Sequence, residues 1–553
     1  MRPVESSEVH DVIRNFKNKS TLDTKIEPLK LANKNFFFTE TIAKMISSSF
    51  EQGIFPQALK LARVVPIHKE GSRTDVTNYR PISLLSTLSK VYEKLMHNRV
   101  YEFLEKNGTL FESQYGFRPG RSCEHDALLE ANNHLLEILS KKQIALLLLI
   151  DFSKAFDIVE HSILLHKLNH YGIRGMAYEW FKSYLSNREQ FVAVNDAQSS
   201  TKVMNYGVPQ GSILGPLLFI IYINDLPNIS KIARFILYAD DANIIVTGNS
   251  IHEVMQNVNT LSNDLVKWVG YNGLALNLKK TKFMIFARQR IDLSGIELKI
   301  RNTYIERKSE CRFLGVIMDE KLNWTHHIAA INLKMSRYLG IMFRIKHRLP
   351  IKVRIQIFHC FVQAHLNYCP LLWGFSAKSH IQSLFTKQKR GMRAVMPGFV
   401  KYFYEDGDTP THTKNYFKDY EILTVHGVIV MNALLFMHKI MYFPKLLPSS
   451  IVNTLPENIP KIGQTHHDCL DWLSIYNNIP YQASLFNKGP LLALSDKNVS
   501  ILSAETKSSL SSYKKSIKRM LLTSQHGSAD NDEWPEFLLH KIKGLRKSSR
   551  TFK

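Results

Sequence analysis

The chain has 553 residues, 44% apolar and 22% charged, with a formal net charge of +24. That length allows about three domains with cores of their own, and the composition excludes a wholly disordered protein. So large a cationic surplus implies a polyanionic partner, nucleic acid first, against the plainer alternative of a merely solvated basic surface.

Residues 1–54 read as an N-terminal helical extension broken by loops, without a cofactor motif. Residues 62–68 (ARVVPIH) then suit a short strand, and 69–72 a turn-rich connection. The 3.6-residue rhythm predicts an amphipathic helix over 84–104. Residues 144–150 (IALLLLI) form an apolar run ending at Asp151. Its length suits a buried strand, although periodicity alone leaves a helix open. One or two helices follow over 162–185, interrupted at Gly172, then strands at 190–194 and 202–206 and a buried helix at 214–223. In 234–247 (RFILYADDANIIVT) two β-rich runs meet at Ala239, Asp240 and Asp241, which is a hairpin signal. The order of these elements matches a ferredoxin-like split βαβ sheet in an α+β fold.

Past Trp324 the composition shifts. Residues 325–400 carry 12 Lys and Arg and no Asp or Glu. A one-signed helical segment suits a track for phosphates, whereas a solvated helix would carry mixed charges. Residues 401–553 read as a mixed helical extension with a basic tail and no chemical motif.

Cys123, Cys311, Cys360, Cys369 and Cys469 form no CxxC pair, which argues against a disulfide framework or zinc module and fits a reducing compartment. Cys360 and Cys369, with His359 and His365, lie in apolar helical context and suit structural burial better than a metal site. No signal peptide opens the sequence, and no apolar run approaches the roughly 18 residues of a membrane span. A soluble, intracellular chain with no membrane partner is expected.

The chemistry rests on three acids. Asp240 and Asp241 adjoin at a hairpin tip between apolar strands, and Asp151 emerges from another apolar run. Brought together, they would repel unless cations lay between them, and an oxygen-rich site suits Mg²⁺ with phosphate. Singly, each signal is weak: Asp-Asp is most often only a turn, and Asp151 equally suits a helix N-cap.

Their company is specific. In order come 62–68, Asn78-Tyr79-Arg80-Pro81-Ile82-Ser83, 114–122 (QYGFRPGRS), 151–157 (DFSKAFD), 207–216 (GVPQGSILGP), 238–241 (YADD), 277–282 (NLKKTK) and 311–315 (CRFLG), then 367–374 (NYCPLLWG) and 388–393 (QKRGMR). This series resembles the reverse transcriptase of non-LTR retrotransposons, the long interspersed elements, above all the jockey and CR1-like groups. The resemblance covers roughly residues 10–540, weakly towards the C-terminus.

The resemblance implies a right-handed polymerase, with fingers and palm in 55–324, a basic helical thumb in 325–400 and an extension in 401–553. It implies that Asp151 and Asp240 are the principal ligands of two Mg²⁺ ions, with Mn²⁺ a possible substitute, and that Asp241 completes the cluster. Phe156 matches the gate against a ribonucleotide's 2′-hydroxyl, with core packing as the plain alternative, and Phe152 is grouped with the substrate-binding residues. Gln210 and Gly211 match the loop against the incoming base pair. Lys69 and Arg80 would grip the triphosphate, with ordinary surface charge a serious competitor. Lys280 matches the proton donor to departing pyrophosphate. The implied partners are an RNA template, a DNA primer or target and deoxynucleoside triphosphates, with the nucleus as site of action.

Two departures stand out. Leu22, in 20–26 (STLDTKI), replaces the family's usual glycine, and only about 60 residues precede Ala62, too few for an endonuclease domain of roughly 200. Endonuclease activity supplied elsewhere is therefore expected, and nothing reads as a second acidic and histidine cluster. His466, His467 and Asp468 beside Cys469 are a weak exception. Two rivals remain: the reverse transcriptase-maturase of group II introns, and an RNA-coating protein without catalysis.

Overall fold

The computed structural model describes residues 2–16, 36–396, 413–442, 447, 514–515, 517–519 and 521–522. The stretch 20–26, the group from His466 to Cys469 and most of 401–553 lie outside the described residues.

Helices α1 (Ser6–Asn15) and α2 (Phe36–Gln52) lead into strand β1 (Leu61–His68) and its antiparallel partner β2 (Tyr79–Leu84). The helix expected over 84–104 starts later. Leu84 still pairs with Arg63, and the Ser86 side chain accepts from the Ser89 N–H, so α3 runs Thr87–Lys106. A serine cap outranks apolar rhythm here because it satisfies an otherwise orphaned N–H.

Next come α4 (Leu129–Ser140), β3 (Ile144–Ile150), α5 (His161–His170) and α6 (Met176–Leu185). The break between the last two holds Gly172 at φ +92, a conformation glycine reaches without a Cβ clash. Then follow β4 (Arg188–Val194), β5 (Ala197–Gln198), β6 (Lys202–Met204), α7 (Leu214–Tyr222), β7 (Ala233–Tyr238), β8 (Asp241–Gly248), α8 (Ile251–Tyr271) and β9 (Lys282–Phe286). Strands β10 (Leu298–Ile300), β11 (Thr303–Arg307), β12 (Glu310–Phe313) and β13 (Val316–Asp319) complete the β structure.

The larger sheet has the order β10-β11-β9-β3-β8-β7, with β3 antiparallel to both neighbours. Counting β3, the following helices, β7, β8, α8 and β9, the chain makes a β-α-β-β-α-β run, with β4–β6 and their loops inserted. The smaller sheet joins β2, β1 and β4, with β5 and β6 both on β4.

The central position of β3 explains its unbroken apolar text. Leu146 and Leu148 face a core with Leu164, Leu218 and Leu261, while Ala145 and Leu147 face another with Leu135, Phe313 and Ile328. A strand covered on both faces has no polar face to show, and each fully buried leucine contributes about 1.5–3 kcal/mol.

The basic segment is not one helix. It divides into α9 (Thr325–Ile345), α10 (Ile351–Phe358) and α11 (Lys378–Val395), with shorter turns between, and α12 (Val425–Tyr442) follows. Nor are its cations all directed outward: Lys389 lies 4.5 Å over the Phe385 ring, and Arg354 donates to Met396 O. Among the described residues no helix is long and apolar enough to cross a membrane.

Candidate active site

Strand register brings the acids together. β7 and β8 pair down to Tyr238↔Asp241, leaving Ala239 and Asp240 as a two-residue turn with Ala239 at φ 57. Such short turns need left-handed backbone to match strand twist. On the other side of β8, Ile150 pairs with Ala242, so Asp151, the next residue, lies level with Asp241. No helix begins at Asp151; residues 153–157 form turns, which removes the N-cap alternative. The Asn277 N–H donates to Asp151 O at 2.8 Å and the Ser153 N–H to Ala275 O at 2.8 Å, laying the loop before β9 against this strand end.

The electrostatics record the crowding. Burial among the cleft atoms raises the Asp240 carboxyl, the nearby Asp151 raises it further, and Arg80 and Lys69 pull it back. Asp241 is pushed up to about 6 by burial, then by Asp240 and Asp151, with Lys69 opposing. Both aspartates keep an exposed side, and the like charges of their neighbours add to the shift. Lys69 follows the last residue of β1 and Arg80 sits on β2, where Ile67↔Arg80 and His68↔Tyr79 keep both at one end of the hairpin.

A raised carboxyl favours the folded state below the ordinary carboxylate range and loses that contribution as pH rises through about 6. In chelator, Asp241→Asn is therefore expected to raise the melting temperature at about pH 8 and leave it unchanged near pH 4. A thermal melt at both pH values checks this; equal shifts at the two would remove charge repulsion as the cause.

The loop over 207–213 closes another wall. Gly207 (φ +84) backs onto Asp157 O, and a Cβ on Gly211 (φ +126) would lie 2.5 Å from Ser83 O. The Ser83 N–H donates to Gln210 O at 2.7 Å, which ties the loop to β2. Gln210 Nε2 donates to Asp157 Oδ1 at 2.9 Å, a partner the sequence pattern did not single out. Phe156 is half-buried, stacked on Phe219 at 4.6 Å with its edge region against Phe117 at 6.1 Å.

Two expected residues sit differently. Phe152 is 5% exposed within the core, beneath the site and not open to it. Lys280 is exposed, its Nζ 3.9 Å from Glu70 Oε1, so it stands beside the β1–β2 connection that also holds Lys69. A buried residue went unnoticed: Glu93 Oε2 accepts from the Ile213 N–H at 2.6 Å and so anchors the end of the 207–213 loop.

Among the described residues no three His, Cys, Asp or Glu side chains converge closely enough to hold a metal ion unaided. The donor set nevertheless fits Mg²⁺. Asp240 and Asp241, both with raised carboxyls, and the adjoining Asp151 suit a hard cation, and Mg²⁺ normally takes one or two carboxylates and completes its shell with water and substrate phosphates.

The profile of the family described as reverse transcriptase (RNA-dependent DNA polymerase) matches residues 67–318. The matched stretch contains the three strand-borne acids, so the site lies in the part of the chain that is similar to a reverse transcriptase domain. A probable RNA-directed DNA polymerase from transposon BS of Drosophila melanogaster is 29% identical, over 65% of this chain and 41% of that protein. The RNA-directed DNA polymerase from mobile element jockey of the same fly is 28% identical, over 64% and 39%. A putative 115 kDa protein in the type-1 retrotransposable element R1DM is 30% identical, over 55% and 29%. The chain is thus similar to polymerases of non-LTR retrotransposons of jockey and R1 type. It spans about two fifths of the length of the first two relatives.

Proposed function

We propose that the chain copies an RNA template into DNA, adding deoxynucleotides to a DNA primer by two-metal nucleotidyl transfer. The observation that carries this reading is the meeting of Asp151 with Asp240 and Asp241 at adjoining strand ends, opposite Lys69 and Arg80. Asp151 and Asp240 would be the principal metal ligands and Asp241 would complete the cluster. Two bound Mg²⁺ ions, or Mn²⁺ in their place, supply activation of the primer 3′-hydroxyl and neutralise charge on the triphosphate.

The protein's own groups do the rest. Lys69 and Arg80 hold the triphosphate, and Lys280 delivers a proton to the departing pyrophosphate oxygen. Gln210 and Gly211 lie against the incoming base pair. The smaller sheet and the β-rich core make fingers and palm within 55–324, and α9 to α11 make a thumb whose cations track the phosphates. Template, primer or target DNA and deoxynucleoside triphosphates are the partners, with action on nuclear DNA. The test is primer extension on an RNA template with Mg²⁺; no extension by the purified chain would refute the reading.

Sugar choice gives a sharper check. Phe156 is wedged between Phe219 and Phe117, so its ring has little freedom to yield to a 2′-hydroxyl. Phe156→Ala should raise ribonucleotide use by about 10-fold or more, since a clash costing at least ~1.4 kcal/mol is removed. Unchanged discrimination, measured as the ratio of kcat/KM for the two sugars, would return Phe156 to packing alone.

A further inference from the structure

The QYGFR run at 114–118 has no part in the proposed chemistry, yet it is built into the hairpin that carries the acids. Segment 113–115 runs beside β7: the Leu237 N–H donates to Ser113 O at 2.9 Å, and the Tyr115 N–H donates to Leu237 O at 2.8 Å. Gln114 is 1% exposed. Its Oε1 accepts two backbone N–H groups, from Gly116 at 2.9 Å and from Ala239 at 3.1 Å. Ala239 is the left-handed turn residue that precedes Asp240. Gly116 presses on the same turn so closely that a Cβ would lie 2.1 Å from Ala239 N.

The Nε2 group of Gln114 finds no acceptor among the described residues. Burying that donor unpaired costs free energy, so an apolar side chain would suit the pocket better were packing the only demand. The oxygen is what the hairpin uses.

We propose that Gln114 is a positioning residue, whose amide oxygen ties the Ala239 turn to segment 113–116 and so sets where Asp240 stands relative to Asp151. This rests on the reading of the aspartates as a polymerase site. Left-handed backbone at alanine is disfavoured and persists only where its surroundings hold it. The carboxylates on either side repel one another, so a freed turn relaxes by moving Asp240 away. Gln114 acts through the turn, which leaves nucleotide affinity to other groups.

The test uses the full chain, with Gln114→Leu and the longer Gln114→Met as a second variant should the first fold poorly. Hydrogen exchange, in metal-free buffer, reads the Ala239 amide against those of β9. In the wild type that amide is expected to be protected. In the variants it should exchange at least about tenfold faster while β9 is unchanged. In primer extension kcat should fall about 10- to 100-fold, as for a displacement near 1 Å, with KM for deoxynucleotides and affinity for the RNA–primer duplex unchanged. An unprotected Ala239 amide in the wild type, or variants with wild-type kcat, would overturn the proposal. Protection lost equally across β9 would also overturn it, by making Gln114 an ordinary core residue. A wild type that protects Ala239 but extends no primer refutes the polymerase reading instead.

Discussion

Asp240→Ala is expected to abolish primer extension, by about 10³-fold or more, while RNA affinity stays within about twofold of wild type. The two effects separate because they live on different parts of the molecule. Asp240 stands at the β7–β8 turn, level with the end of β3, where its carboxylate faces Asp151, Lys69 and Arg80. Removing it takes away a metal ligand, and a ligand's share of charge stabilisation in phosphoryl transfer amounts to several kcal/mol. Affinity for a long polyanion comes instead from many weak cation contacts, each tied to release of a counterion. Exposed Lys334, Arg337, Arg344 and Arg390 on α9 and α11 are such cations, and none lies on the hairpin. The measurement pairs primer extension with salt-dependent binding of an RNA–primer duplex. Residual extension above a few per cent of wild type would remove Asp240 from the site, and a collapse of binding would show that the hairpin has a structural task as well.

Glu93→Ala should cost about 3–5 kcal/mol of stability, the largest effect expected of a residue outside the acid cluster. Glu93 is fully buried. Its carboxylate accepts from the N–H groups of Ile213 and Leu214 and from the hydroxyls of Ser89 and Tyr184. Burial raises its pKa, and Arg188, itself fully buried above the Tyr184 ring, opposes that shift most strongly. Alanine would leave a guanidinium without its counter-charge and the start of α7 without an acceptor. Because the same two N–H groups end the 207–213 loop, Gln210 should lose its fixed place, and KM for deoxynucleotides should rise in whatever protein still folds. Urea denaturation of wild type, Glu93→Ala and Glu93→Gln resolves the matter. A loss below about 1 kcal/mol for alanine would mean that the buried charge is compensated by other groups.

Much of the site was legible in the amino-acid text because its signals are local. An unbroken apolar run that ends in aspartate predicts a strand whose first polar residue emerges at its end, and Ile144–Ile150 with Asp151 is built so. Two β-rich runs around Ala-Asp-Asp predict a hairpin with acids at its tip, which β7 and β8 form. Where a local signal competed with another, the text misled. Apolar rhythm carried the third helix back to Leu84, but the Ser86 cap starts it at Thr87. A run without acids suggested a single cationic face, but helix ends and turns divide it among α9, α10 and α11.

Other features join residues far apart, and no pattern of nearby residues announces them. Gln114 holds a turn 125 residues away, Glu93 anchors an amide 120 residues away, and Gln210 meets Asp157 across 53. Lys280 reaches Glu70, and Phe152, which looked like a site residue, is buried beneath it. Periodicity and capping report on a few neighbouring residues, since they reflect one turn of helix or one pleat of strand. Sequence by itself determined that three aspartates end apolar strands in a strongly basic chain. That β3 lies between β8 and β9, and so sets Asp151 beside Asp241, was decided by strand order, which depends on how two cores pack against both faces of one sheet.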